Sequence, residues 1–184
     1  MPISPAQLAL LTHRQWALPA LAELHQMEGA KFITLMHRLN AHHAAVRQTL
    51  NELIALGLAV PNPGYGHPLR PEFVLTPAGE QVGPACVRVQ ETLRRLRLVE
   101  LSRRKWTLPT VLAVHRGYRR FGEIRGVLVT ATDRALAISL ERLTGADVLT
   151  MAQRDGRTLR TGYCAAPAAA AIGRSLDLLP ALSV

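Results

Sequence analysis

Lysine is almost missing from this chain: of 22 basic residues only Lys31 and Lys105 are lysines, and the other twenty are arginines. Aromatic residues make up 4%, so any core must be built from Leu, Val, Ile and Ala. Two cysteines, Cys86 and Cys164, exclude a disulfide scaffold and read as buried apolar side chains. No apolar run approaches the roughly 18 residues of a membrane helix. Met1-Pro-Ile-Ser-Pro-Ala-Gln lacks the basic stretch and apolar run of a secretory leader. Catalytic signatures are missing too. None of the 13 acidic residues forms an obvious isolated pair in an apolar setting. No glycine-rich phosphate loop, G-x-S-x-G elbow or His-Glu-x-x-His segment occurs, so an enzyme is not expected. His37, His42 and His43 are spaced by 5 and 1, which does not set two ligands at i, i+4. With no cysteine or acidic cluster beside them, no metal site and no cofactor are expected.

What is present is a large apolar fraction, 48% of 184 residues. That suits one ordinary domain or two small ones and excludes extensive disorder. The net charge is +9, unevenly spread. Residues 1–90 carry 6 basic and 5 acidic side chains, and residues 91–184 carry 16 and 8. Arginine offers a planar fork that suits phosphate oxygens and guanine edges, although a GC-rich genome gives the same bias. The asymmetry points to a polyanionic partner, with nucleic acid first.

The chain is also written twice. Residues 11–19 read LTHRQWALP and residues 101–109 read LSRRKWTLP, an offset of 90. His25 and His115 keep the offset. Phe32 pairs with Phe121 and Leu39 with Leu128 one residue short, and Ala41 with Ala131 restores it. Leu50/Leu140, Leu53/Leu143, Phe73/Tyr163, Pro77/Pro167 and Gly83/Gly173 follow in order. This predicts two copies of one unit, 1–90 ending in a linker helix and 91–184.

Each copy reads as the same series of elements. Helices are predicted from about Pro5, over Leu18–Met27, over Lys31–Leu39 and over about His42–Leu56. The last has the stripe Val46, Leu50, Leu53 and Ile54, matched by Leu136, Ile138, Leu140 and Leu143. Pro19 and Pro109 fall near a helix start, with Thr107 as an N-cap. Strands follow at Gly57–Val60 and Phe73–Thr76, and at Val148–Gln153 and Thr158–Tyr163 around the turn Asp155-Gly156. Val82, Cys86, Val89, Leu93 and Leu96 make a helical stripe, with Pro84 at its start or at a kink and Arg88, Arg94, Arg95 and Arg97 opposite. Ile172, Leu176 and Leu179 close the second copy. The fold class is therefore α+β, mostly helical, as two tandem winged helix-turn-helix domains related by internal duplication. The two closing helices, near 84–100 and 168–179, pack together or support a homodimer.

Arg104-Lys-Trp-Thr-Leu, Arg119-Arg-Phe-Gly-Glu-Ile-Arg and Thr132-Asp-Arg-Ala-Leu with Leu140 and Leu143 resemble the HxlR-type winged-helix regulators, bacterial relatives of the MarR group. The resemblance covers about 50 residues of the second copy. It extends weakly to the first through Trp16, Phe32, Leu50, Leu53 and Phe73-Val-Leu-Thr-Pro-Ala-Gly. Members usually carry one winged helix per chain and act as homodimers, so one fused chain could imitate a dimer. Neither copy has the cysteine that many members carry just before Lys-Trp.

In such a fold the third helix enters the major groove, with its N-terminal residues at base edges. These are His42, His43, Arg47 and Gln48 in the first copy, and Thr130, Thr132, Asp133 and Arg134 in the second, with Asp133 read as a helix cap. The bland alternative is the polar face of an amphipathic helix. Arg154, Arg157 and Arg160 surround the second wing tip, suited to phosphates, a minor groove or plain solvent. The first tip has only His67 and Arg70. Arg103, Arg104 and Lys105 precede Trp106; Arg116, Arg119, Arg120 and Arg125 follow, as candidate backbone anchors. His25 and His115 read as packed, hydrogen-bonded histidines, with a pH-responsive role as the alternative. The expectation is a cytoplasmic, nucleoid-associated protein that binds double-stranded DNA sequence-specifically as a transcriptional regulator. One alternative is an architectural or genome-maintenance factor with little sequence preference. Another is a tandem winged-helix module for protein assembly. There is no separate ligand domain, so an inducer would have to bind between helices.

Overall fold

The computed structural model describes residues 1–64, 72–152 and 162–182. Its first half runs α1 (Pro5–Leu11), α2 (Ala17–Gln26), β1 (Ala30–Lys31), α3 (Phe32–Leu39), α4 (His43–Ala55), β2 (Ala59–Pro61), β3 (Glu72–Leu75) and α5 (Pro77–Arg95). The second half runs α6 (Val99–Ser102), α7 (Thr107–His115), α8 (Phe121–Val127), α9 (Asp133–Gly145), β4 (Leu149–Ala152), β5 (Gly162–Ala165) and α10 (Pro167–Leu176). The described chain is α+β and mostly helical, with small antiparallel sheets.

Local chemistry sets the starts. Ser4 Oγ accepts from the Gln7 N–H (3.1 Å) while Gln7 Oε1 accepts from the Ser4 N–H (3.2 Å), with Pro5 behind the cap. Thr76 and Thr132 cap α5 and α9 by accepting from Gly79 and Ala135. Thr107 does not cap α7: it is the first helical residue, buried, and Trp106 holds the cap position. Pro84 neither starts nor ends a helix, because α5 begins seven residues earlier and continues through it.

The same closing bonds recur 90 residues apart. The Leu58 N–H donates to Leu53 O (2.8 Å) and the Val148 N–H to Leu143 O (2.9 Å). The residue just before each donor, Gly57 (φ 67°) and Asp147 (φ 54°), is left-handed. β2 pairs with β3 through Ala59↔Leu75, and β4 with β5 through Leu149↔Ala165. β1 adds a third strand through Ala30↔Phe73, a strand too short for its alternation to be read in the sequence. In the second half a single bond, from the Tyr163 N–H to Arg119 O (2.8 Å), takes that place.

The stripes are narrower than the spacing suggested. Val46, Thr49, Leu50 and Leu53 are the buried residues of α4, and Leu136, Ser139, Leu140 and Leu143 those of α9. Ile54 (36% exposed) and Ile138 (37%) lie outside; threonine and serine sit inward because they fall on the 3–4 spacing. Cys86 is fully buried, which pushes its thiol up and keeps it protonated. Cys164 is only half-buried on β5, where its sulfur accepts from Arg119 Nη1 (3.6 Å).

The halves are not side by side. Helix α1 packs on α7, across the chain. Ile3 N donates to Leu179 O (2.8 Å), Ala181 N to Met1 O (2.8 Å) and Gln7 Nε2 to Leu182 O (2.9 Å). The Thr12 hydroxyl donates towards Leu8 O and Lys105 O, 2.8 Å from each. The boundary expected at 90/91 falls inside α5. The α5 and α10 helices pack on each other, with Thr92 and Ser175 hydroxyls 2.8 Å apart. Of the two expectations for these closing helices, packing together or pairing with another chain, the first is what the chain shows.

The histidines at offset 90 have a packing reason. A Cβ built on Gly83 would lie 2.6 Å from His25 Cγ, and one on Gly173 would collide with the His115 ring. Each imidazole lies against a glycine and reaches an acid in that glycine's helix or at its C-cap: His25 Nδ1 to Glu80 (2.9 Å), His115 Nε2 to Asp177 (3.0 Å). The acids lie on opposite sides of their glycines in sequence.

Because α1 completes the core around α7, unfolding followed by circular dichroism and by tryptophan fluorescence is expected to give one coincident transition. Leu8→Ala should lower stability by about 2–5 kcal/mol; separate transitions for the two halves would contradict the shared core. Gly173→Ala should cost about 1–3 kcal/mol in urea unfolding by overpacking the His115 ring.

Candidate nucleic-acid interface

Helices α4 and α9 each bury one face against the preceding long helix, α2 and α7 respectively. Their opposite faces are exposed, and most of the expected contact residues lie there or on the loops beside them. His42 is the exposed N-cap residue of α4 and makes no side-chain cap. The His43 ring stands 4.7 Å from the Phe32 ring, and its Nε2 accepts from Arg47 Nη2 (3.3 Å). Gln48 is partly engaged: its amide oxygen accepts from Arg14 Nη1 (3.2 Å), whose Nε lies 3.5 Å from Glu52.

In the second half the same face is charged differently. Thr132, expected at base edges, is the cap of α9. Asp133, expected to cap, instead accepts from Arg125 Nε (2.9 Å). Arg125 Nη1 also reaches Val129 O (3.1 Å), so it bridges the end of α8 to the start of α9. This is where the second half regains its extra residue. The first half turns there on Asn40 (φ 49°); the longer turn is held by an arginine. Arg125 thus clamps the turn between α8 and α9.

Arg104 occupies the place that Arg14 occupies 90 residues earlier. The positions equivalent to Gln48 and Glu52 are Ile138 and Arg142, which offer no acceptor. Arg104, Arg134 and Arg142 are exposed, and their side chains make no hydrogen bond or ion pair among the described residues. Arg142 was not expected from the sequence, although its alignment with Glu52 was the available signal. The Lys105 ammonium lies 4.8 Å from the centre of the Trp106 ring and is half-buried. Arg103, counted with these two as an anchor, pairs with Glu100 (2.7 Å) and lies 4.3 Å over the Trp16 ring. Arg116 is held by Asp177 (2.8 Å). Arg154, Arg157 and Arg160, with His67, Arg70 and the Asp155-Gly156 turn, lie outside the described residues.

Arg119 and Arg120 are exposed before α8, and their backbone N–H groups both donate to Glu123 (2.9 and 3.0 Å). Glu123 therefore locks the segment that carries the two side chains. The Arg120 N–H, then the Arg119 N–H, hold its carboxyl below the ordinary value of 4.5.

Comparisons with family models, with curated proteins and with solved structures found no match.

Because the folded-state pKa of Glu123 is depressed, its contribution is complete above 4.5 and is lost as pH falls through the lower folded value. A Glu123 side-chain titration by NMR is expected to have its midpoint below 4.5. Glu123→Gln should flatten the acid limb of the stability–pH curve; an unchanged limb would show that the two N–H bonds are not held in solution.

Proposed function

We propose that this chain is a tandem winged-helix protein that binds double-stranded DNA as a transcriptional regulator, with α4 and α9 presented to major grooves. The observation that carries the reading is the set of unpartnered arginines around α9. Among the described residues the Arg104, Arg134 and Arg142 guanidinium groups have no acceptor, while the acid beside them, Asp133, is held by Arg125. A solvated amphipathic face normally intersperses charges of both signs that pair along it; here Glu141 is the one other acid on the exposed face of α9. Three free guanidinium groups are suited to phosphate oxygens, which set affinity and register on a duplex.

The element order supports the same reading: four helices, a hairpin and a closing helix, twice, with the sheet order β1-β3-β2 in the first half. The resemblance of the second half to HxlR-type regulators agrees with it. The two exposed helix faces differ, His43, Arg47 and Gln48 against Asp133, Arg134 and Ile138, so a specific site need not be palindromic. One chain supplies both helices and takes the role of a dimer.

The test is fluorescence anisotropy of a labelled duplex titrated across salt. Submicromolar binding at low salt is expected, with log K falling against log salt by about 0.9 per phosphate contacted. Reversing Arg104, Arg134 and Arg142 together to Glu should weaken binding at least about 100-fold and make the slope shallower by roughly 3. Selection from random duplexes then separates a regulator from an architectural binder. No binding at low salt would overturn the DNA reading in favour of a protein-assembly module.

A further inference from the structure

Arg88, Arg94, Arg95 and Arg97 stand opposite the apolar stripe of α5 in the sequence, and none of them belongs to the surface around α9. The structure separates them. Arg94 lines a cavity beside α2 and α6, and Arg97 follows the helix in a left-handed turn (φ 58°). Arg88 and Arg95 instead line a groove of about 340 Å³ between α5 and α10, which Arg174 of α10 lines as well. The lining also holds Thr92, Ala171 and Ser175. The Thr92 and Ser175 hydroxyls are 2.8 Å apart, and Ser175 Oγ donates to Ala171 O (3.2 Å). The arginines thus line a groove whose hydroxyls are already satisfied.

All three groove arginines are exposed, and their side chains make no hydrogen bond or ion pair among the described residues. The nearby acids are engaged elsewhere. Glu80 of α5 holds His25 (2.9 Å), and Asp177 at the C-cap of α10 holds His115 (3.0 Å) and Arg116 (2.8 Å). Glu91 is the one carboxylate in the lining, and among the described residues it pairs with none of the three. Beside them Leu178 is 60% exposed. The groove therefore combines an excess of unpartnered positive charge with an uncovered aliphatic side chain. Such a surface is complementary to an anionic partner that also carries apolar groups.

We propose that this groove docks an acidic segment of a partner protein, with carboxylates on Arg88, Arg95 and Arg174 and an aliphatic side chain on Leu178. Arg88 and Arg95 are two helical turns apart, about 10 Å along α5. A chain of separated anionic groups engages them as they stand, whereas one small ion would have to gather three like charges around itself. Nucleic acid is also a chain of anions. Its phosphates, however, bring no aliphatic group to Leu178 and are repelled by Glu91. A peptide alternates acidic with neutral and aliphatic residues, so it can set each opposite its complement, and arginine takes carboxylates bidentately. A second copy of this chain carries a net charge of +9 itself, which opposes self-association through this groove. The proposal does not rest on the DNA reading, since these residues are not the ones offered to a duplex.

The experiment is fluorescence anisotropy of a labelled acidic peptide, EELEELEEL, titrated with the full chain and without DNA. Salt is held at about 150 mM, where distant charges are screened, and the neutral peptide QQLQQLQQL is the control. A Kd between about 10 μM and 300 μM is expected for the acidic peptide, with the neutral one at least about tenfold weaker. Arg88→Gln, Arg95→Gln and Arg174→Gln together should weaken the acidic peptide at least about tenfold. Those side chains hold nothing in the fold, so the urea midpoint should stay at the wild-type value. Neutralising Arg104, Arg134 and Arg142 in the same way should change peptide affinity less than about threefold. Leu178→Ser should weaken the peptide by about threefold or more. Absence of binding at about 1 mM chain, equal binding of the neutral peptide, or wild-type affinity in either groove variant would overturn the proposal. So would a loss of duplex affinity in the triple groove variant as large as its loss of peptide affinity, which would make the groove a nucleic-acid surface. A chain that binds the peptide in this pattern and binds no duplex would leave the groove standing and remove the DNA reading alone.

Discussion

Helix α7 has no charged side chain from Thr107 to Val114, and every one of those residues is buried. A helix apolar on all sides must be covered on all sides, and no neighbouring segment of the second half suffices. Its cover comes from α1, α6, α8, α9, α10 and β5, so a segment almost a hundred residues earlier in the chain is part of its core. Most of the remaining architecture follows from this demand. The first residues are drawn across to pair with residues 179–181, α6 is left beside α2 and α5, and α5 and α10 are brought together. A cavity at the junction is walled by the turn after α1 and by parts of α2, α5 and α6.

The two halves illustrate how one scaffold can carry two surfaces. Buried positions keep their partners across the offset: His25 on Gly83, His115 on Gly173, Leu53 and Leu143 closing their helices. Exposed positions have moved apart. Arg14 is tied to Gln48 and Glu52, whereas Arg104 faces Ile138 and Arg142 in the aligned register. The charge difference between the halves is thus concentrated where it changes what the surface can attract, while the core chemistry is held.

Most helix positions and the hairpin strands were legible in the sequence because apolar spacing and turn residues report them directly. The exposed faces of α4 and α9 were legible for the same reason, since the polar residues are what the stripe leaves over. What could not be read was pairing. Nothing in the local sequence says that Asp133 would turn to Arg125 rather than to its own helix, or that Arg116 would be neutralised by Asp177, 61 residues away. Ile54 and Ile138 read as core because hydrophobicity was weighed above the 3–4 spacing that Thr49 and Ser139 satisfy. The cavity at the junction was invisible for a stronger reason: Trp16, Gln90 and Arg103 are unremarkable singly, and only tertiary packing brings them to one lining.

The crossing of α1 onto α7 also has a consequence for how the chain is made. During synthesis at about 5–20 residues per second, α1 leaves the ribosome long before its partner exists. Roughly 100 residues separate the two, a wait of about 5–20 s. Through that interval Ile3, Leu8 and Leu11 have no native surface to cover them. The first half therefore emerges with an apolar helix in want of a mate, and the last step of assembly is a long-range closure rather than the docking of two finished domains.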